Sequence, residues 1–229
     1  MNFALIWESL PRLLDGAALS LQLTLLALAV GLVLGIALAM LGRNGGVVGR
    51  RFVGGYVFVF RGTPLLVQIF LLYYGLGQFA DIRTSALWPF LREPFWCAAL
   101  ALSMNTAAYT TEIVRGGIES VPAGQIEAAR ALGFTRWQIY RLVVFPIALR
   151  QALPAYGNEM VLMVKASSLA STITLLEITG IARQIASRTY APLEIFTAAG
   201  LIYLTINTLL ARGVRLLEQR LTPHLRPAR

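Results

Sequence analysis

Residues 17–41 form one apolar run in which only Ser20, Gln22 and Thr24 are polar. A helix needs roughly 20 such residues to cross about 30 Å of hydrocarbon. Inside lipid the backbone must satisfy its own hydrogen bonds, so an apolar run of this length specifies a helix. It exceeds the apolar core of about 7–15 residues in a secretory leader, and Glu8 and Asp15 interrupt the basic stretch that would precede one. A retained membrane span is expected. Four more apolar segments follow at 52–77, 95–118, 142–164 and 193–211. The second is interrupted by Arg61-Gly62-Thr63-Pro64, and the fourth holds Pro146, Arg150, Pro154 and Glu159. Five spans predict an all-α membrane protein with one transmembrane domain over residues 10–220 and a tail at 221–229.

Composition agrees with that class. Hydrophobic residues make up 57% of the 229 and charged ones 14%, against about 25% charged in a typical soluble domain. Much of the surface therefore faces lipid. The single cysteine, Cys97, lies in an apolar run and has no partner for an intrachain disulfide or a thiolate metal site, so it reads as a small core hydrophobe. The single histidine, His224, sits in the polar tail without a catalytic or metal-binding constellation and reads as solvated.

A formal net charge of +9 raises the question of nucleic acid. The cations are dispersed between apolar runs, however, and they divide by loop. Arg43, Arg50 and Arg51 follow span one, and Arg115, Arg130, Arg136 and Arg141 separate spans three and four. Arg212, Arg215, Arg220, Arg226 and Arg229 follow span five, which puts twelve on one side. Five lie on the other: Arg12, Arg83, Arg92, Arg183 and Arg188. Cytoplasmic loops are the Lys/Arg-rich ones, so the amino terminus is expected outside and the carboxyl terminus inside. The charge is a topology signal, and no nucleic-acid partner is expected.

The segment 119–141, between spans three and four, reads as two short helices joined by a tight turn. Pro122 suits a first helical turn. Ile126, Ala129 and Leu132 make a narrow apolar stripe. Gly133 suits a left-handed stop, and Thr135 with Gln138 makes a capping box for the next helix. Such an element is either a docking surface for a cytoplasmic partner or a helix lying on lipid headgroups.

At this segment the chain resembles the permeases of ATP-binding-cassette importers. Glu127-Ala128-Ala129 followed by Gly133 matches their coupling motif. Pro122-Ala123-Gly124-Gln125 matches the approach to it. Val143-Val144-Phe145-Pro146 keeps the motif's later proline in register, while Val and Phe replace its usual Ile and Leu. Segments 61–75 (RGTPLLVQIFLLYYG), 103–118 (SMNTAAYTTEIVRGGI) and 153–171 (LPAYGNEMVLMVKASSLAS) are similar to the branch serving histidine, arginine, ornithine and opine uptake. The resemblance implies a type I importer permease fold in the bacterial inner membrane, with two five-span permease subunits that are copies or paralogues. It also implies two cytoplasmic ATPase subunits and a periplasmic substrate-binding protein. Glu127, Ala128, Ala129 and Gly133 would couple to the ATPase. No Gly-x-x-x-x-Gly-Lys-Ser/Thr loop occurs here, so the chain is expected not to be an enzyme and to hold no cofactor or metal. ATP and magnesium would sit on the partner.

Polar residues inside the spans mark candidate substrate contacts, because a charge near the bilayer centre is costly and faces a cavity or a partner. Glu159, beside Asn158, follows Pro154 and Gly157, which are expected to loosen span four. Its carboxylate would pair with a cationic substrate. Alternatively it forms an interhelical ion pair, though not with Arg150, about 13 Å away along a regular helix. Arg61, with Thr63 beside the break at Pro64, would take an α-carboxylate, or Arg61 would snorkel to headgroups. Asn105 and Thr106 are further candidates, or helix-to-helix glue. Tyr73, Tyr74 and Trp88 read as an interfacial aromatic belt. A secondary amino-acid transporter would show an internal repeat, and another small channel would show a filter. Neither is legible.

Overall fold

The computed structural model describes residues 2–221; His224, Arg226 and Arg229 lie outside the described residues. The chain is helical throughout and has no strand among the described residues. Helix α1 (Phe3–Asn44) starts on Asn2, whose side chain accepts the Leu5 N–H. Helices α2 (Gly46–Gly62) and α3 (Leu65–Phe70) follow, the latter continued by a π-helical turn at 71–75. Helices α4 (Ala80–Arg83) and α5 (Trp88–Leu91) are single turns before α6 (Pro94–Glu119). Helices α7 (Ala123–Ala131) and α8 (Arg136–Ile139) lead through a second π-helical turn into α9 (Phe145–Ala166). Helices α10 (Ile178–Thr189) and α11 (Pro192–Leu221) complete the fold.

By length and apolarity α1 and α11 can each cross a membrane alone. Two other segments qualify only as bent pairs. Helices α2 and α3 meet at 102°, and the rod from Arg136 to Ile173 meets α10 at 50°. The run at 52–77 is therefore two arms, broken at Pro64 as its sequence predicts. Thr63 (φ −111°, ψ 145°) and Pro64 (φ −62°, ψ 132°) are extended between them, as proline demands of itself and of the residue before it.

Helix α6 is long enough to cross but too polar for its apolarity alone to mark it, because protein surrounds it. Ser103, Asn105, Thr106, Thr110 and Thr111 are all buried. Small residues bring α1 against it: Ala27, Gly31, Gly35 and Ala39 recur every fourth position and are buried. A Cβ on Gly31 would collide with the Thr106 methyl, and one on Gly35 would lie 2.6 Å from Thr110 Cβ. Without a hydrophobic drive between helices in lipid, this close approach is what holds such pairs together.

Three apolar clusters are layered along α1. Leu13 and Ala17 pack with Ile178, Ile185 and Ile195. Leu23, Ala27 and Leu28 pack with Cys97, Leu102 and Met163. Met40 packs on Ile118, Ala129, Ile139 and Val144. Cys97 is fully buried, and its thiol contacts the Leu91 carbonyl. Tyr73 is half-buried against the middle cluster, while its ring neighbour Tyr74 is exposed. The expected loosening of α9 is not observed. The helix runs on through Pro154, and Gly157 is buried where Val214 of α11 presses on it.

Candidate functional site

The break between α2 and α3 frees backbone carbonyls, and buried side chains recapture them. Gln68 Nε2 donates to the Phe60 carbonyl at 2.9 Å and to the Thr63 carbonyl at 3.2 Å. Asn105 Nδ2, from α6, donates to the same Phe60 oxygen at 3.0 Å and to Gln68 Oε1 at 3.1 Å. Thr63 donates its hydroxyl to the Val59 carbonyl at 2.8 Å and accepts from Gln68. Asn105 and Thr63 are thus engaged in closing the break. Gln68, which composition and spacing do not single out, is the hub.

Above this knot α6 carries two further polar side chains on neighbouring faces. Thr106 Oγ1 donates to Glu159 Oε1 at 2.8 Å. The guanidinium of Arg61, itself exposed, lies 4.9 Å from the centroid of the Tyr109 ring, within the range of a cation–π contact. Tyr109 stands one helical turn along α6 from Thr106. Arg61 and Glu159, from two different helices, therefore border one region. Asn158 is exposed, while the next residue, Glu159, is buried.

Two buried acids in the same fold differ in their partners. Glu177, fully buried, caps α10 and accepts from Thr179 N at 3.0 Å and Gly180 N at 2.8 Å. It also accepts from Ser20 Oγ at 3.3 Å and Tyr203 Oη at 2.7 Å, so it ties α1, α10 and α11 together. Glu159, only 3% exposed, has Thr106 as its one hydrogen-bond partner and no salt bridge among the described residues. A carboxylate has about four acceptor positions. Glu177 is saturated by its own fold, whereas Glu159 keeps acceptor capacity for a charged donor. Arg150 is exposed and forms no ion pair with it. Glu177 escaped sequence reading because an acid at the end of an apolar run looks like an ordinary loop residue until its distant donors are known.

At the other end of the bundle lies the turn between α7 and α8. Ala129 is buried and Ile126 half-buried against Ile118, Ile139 and Val144. The apolar stripe stops there, since α7 ends at Ala131 and Leu132 is 75% exposed. Gly133 adopts φ +79°, and Phe134 N bonds back to the Ala129 carbonyl at 3.1 Å. Thr135 and Gln138 form the reciprocal capping box. The result is a firmly anchored knob that presents Glu127, Ala128, Leu132 and Trp137 outward.

The family model of the binding-protein-dependent transport system inner membrane component matches residues 31–223. The octopine transport system permease protein OccM of Rhizobium meliloti is 54% identical over 98% of this chain and 91% of its own length. The arginine ABC transporter permease protein ArtM of Escherichia coli (strain K12) is 43% identical over 94% of this chain and 96% of its own. Among solved structures, an amino acid ABC transporter crystallised with histidines superposes with a TM-score of 0.86. It is 34% identical, and the match covers 96% of this chain and 99% of that one.

Proposed function

The chain belongs to the family of binding-protein-dependent transport system inner membrane components, and on that premise we propose that it is half of the channel of an ATP-driven importer for cationic amino acids or opines. The observation that carries the substrate charge is Glu159, a buried acid inside the membrane with one hydrogen-bond donor and no counterion among the described residues. An ammonium or guanidinium passing α9 would supply the missing charge-assisted bond. Arg61, stacked on Tyr109 one turn along α6 from Thr106, supplies the opposite charge, so a zwitterionic head and a cationic side chain are read at two points. The names of the octopine and arginine permeases support the same substrate class.

The remaining parts come from partners. Cytoplasmic ATPase subunits hold ATP and magnesium and dock on Glu127, Ala128 and Gly133, while Ala129 anchors that surface from within. A second permease subunit closes the path, and a periplasmic protein delivers the substrate. Helix α1 begins beside α10, where Arg12 reaches Gln184 at 2.7 Å, and ends beside the coupling knob at Met40 and Tyr140. This arrangement keeps the arginine-poor loops at one end and the arginine-rich ones at the other, and supports an outside amino terminus. The test of the substrate class is competition. Uptake of labelled arginine by the assembled importer should fall with excess ornithine or octopine and be indifferent to glutamate. Equal competition by glutamate would remove the charge assignment.

A further inference from the structure

Beside the α1–α2 turn lies a cavity of about 580 Å³, walled by Ala39 and Arg43 of α1, Arg50 and Val53 of α2, and Glu112 and Arg115 of α6. Its charges fall into two sets. Arg115 is engaged, at 2.6 Å from both Glu112 and Glu119. Arg43 and Arg50 have neither a hydrogen-bond partner nor a salt bridge among the described residues. Two open guanidiniums therefore face a pocket in which Glu112 is held on both oxygens by Arg115 and Glu119 on one. That selects an anion. The three arginines outnumber the two carboxylates, and the two unpaired ones, Arg43 and Arg50, leave the pocket with an excess of positive charge.

A second cavity, about 350 Å³, runs along Leu32, Ile36 and Met40 of α1, between α6 and α9. Its walls are apolar: the hydroxyl of Tyr156, which also lines it, is tied to the Leu28 carbonyl. Ile118 stands in the wall of both cavities. The turn between Arg43 and Arg50 also carries Val47 and Val48, both exposed. Bare valines between arginines suit the depth of the lipid headgroups, where apolar and cationic groups are both satisfied.

We propose that the two cavities together hold one anionic phospholipid, its phosphate on Arg43 and Arg50 and an acyl chain in the groove beyond Ile118. Guanidinium groups carry a positive charge and hydrogen-bond donors that phosphate oxygens accept, and basic pockets between membrane helices are suited to such headgroups. The leaflet follows from the orientation proposed above; the site does not depend on substrate identity.

The whole importer, with its partner subunits, is placed in phosphatidylcholine nanodiscs containing phosphatidylglycerol, and native mass spectrometry counts the lipid retained per copy of this chain. The wild type should retain one phosphatidylglycerol, and R43Q/R50Q should retain at least about tenfold less, the loss of one charge-assisted contact. The charge-keeping R43K/R50K should retain most of it. Undiminished retention by R43Q/R50Q overturns the site. So does displacement by millimolar inorganic phosphate, which would mark a free-anion pocket, or equal retention of phosphatidylethanolamine. If R43Q/R50Q fails to assemble, loss of retention in well-assembled R43K/R50K is the overturning result. No arm reads transport, so a wrong substrate assignment leaves each outcome intact.

Discussion

Thr106 stands between Gly31 and Glu159: its methyl fills the place a Cβ on Gly31 would take, and its hydroxyl donates to the Glu159 carboxylate at 2.8 Å. The close packing of α1 on α6 thus sets the position of the one donor that the α9 acid has. A residue without any side chain, on α1, controls the geometry of the α9 carboxylate proposed to meet the substrate.

Gly31→Ala should therefore act at a distance. The added methyl forces Thr106 to shift, and overpacking of this kind costs about 1–3 kcal/mol. The melting temperature of the purified complex should fall, and uptake per assembled complex should fall with it. Gly200→Ala, on α11 with nothing within 4 Å of the new methyl, should leave both unchanged or raise stability by up to about 1 kcal/mol, as alanine does in a helix interior. Equal behaviour of the two variants would show that the α1–α6 contact has slack.

At the coupling knob, Gly133→Val strains a left-handed backbone position by about 1–2 kcal/mol, while Glu127→Lys reverses an exposed charge. Both proteins should insert and assemble. ATP hydrolysis by the reconstituted importer should lose its stimulation by loaded binding protein. Stimulation that survives both changes would mean that α7 and its turn lie on lipid and transmit nothing.

The orientation is open to a simple reporter. Alkaline phosphatase folds only outside the cytoplasm, so a fusion to the carboxyl terminus should be inactive and a cytoplasmic reporter there active. The reverse pattern would invert the whole topology.

Much of this architecture is legible in the residues themselves. Apolar length exposes α1 and α11, and the caps of the coupling knob are local devices in which Gly133, Thr135 and Gln138 act within a few residues of one another. The break at Pro64 is legible for the same reason. What escapes are relations between distant positions. Thr106 and Glu159 are 53 residues apart, and Ser20 and Glu177 are 157 apart. Gln68 matters only because the two arms bend by 102° and bring Phe60 within its reach. Gly157 is misleading locally: a glycine after a proline suggests a loosened helix, yet here it admits Val214. Leu132 continues an apolar spacing that the helix itself does not continue.

Glu159 is proposed to meet a cationic substrate inside the membrane, and uptake of labelled arginine per assembled complex by Glu159→Gln tests this without intermediaries. The amide keeps the size and can still accept from Thr106, but it removes the charge. A charge-assisted hydrogen bond contributes roughly 1.5–3 kcal/mol, so uptake at limiting substrate should fall about 10- to 100-fold, with the melting temperature little changed. Glu177→Gln is the control. It weakens a four-donor network that joins three helices, so it should lower the melting temperature and leave the selectivity of the surviving complexes as it was. Unchanged arginine uptake by well-assembled Glu159→Gln complexes would take Glu159 out of the substrate path.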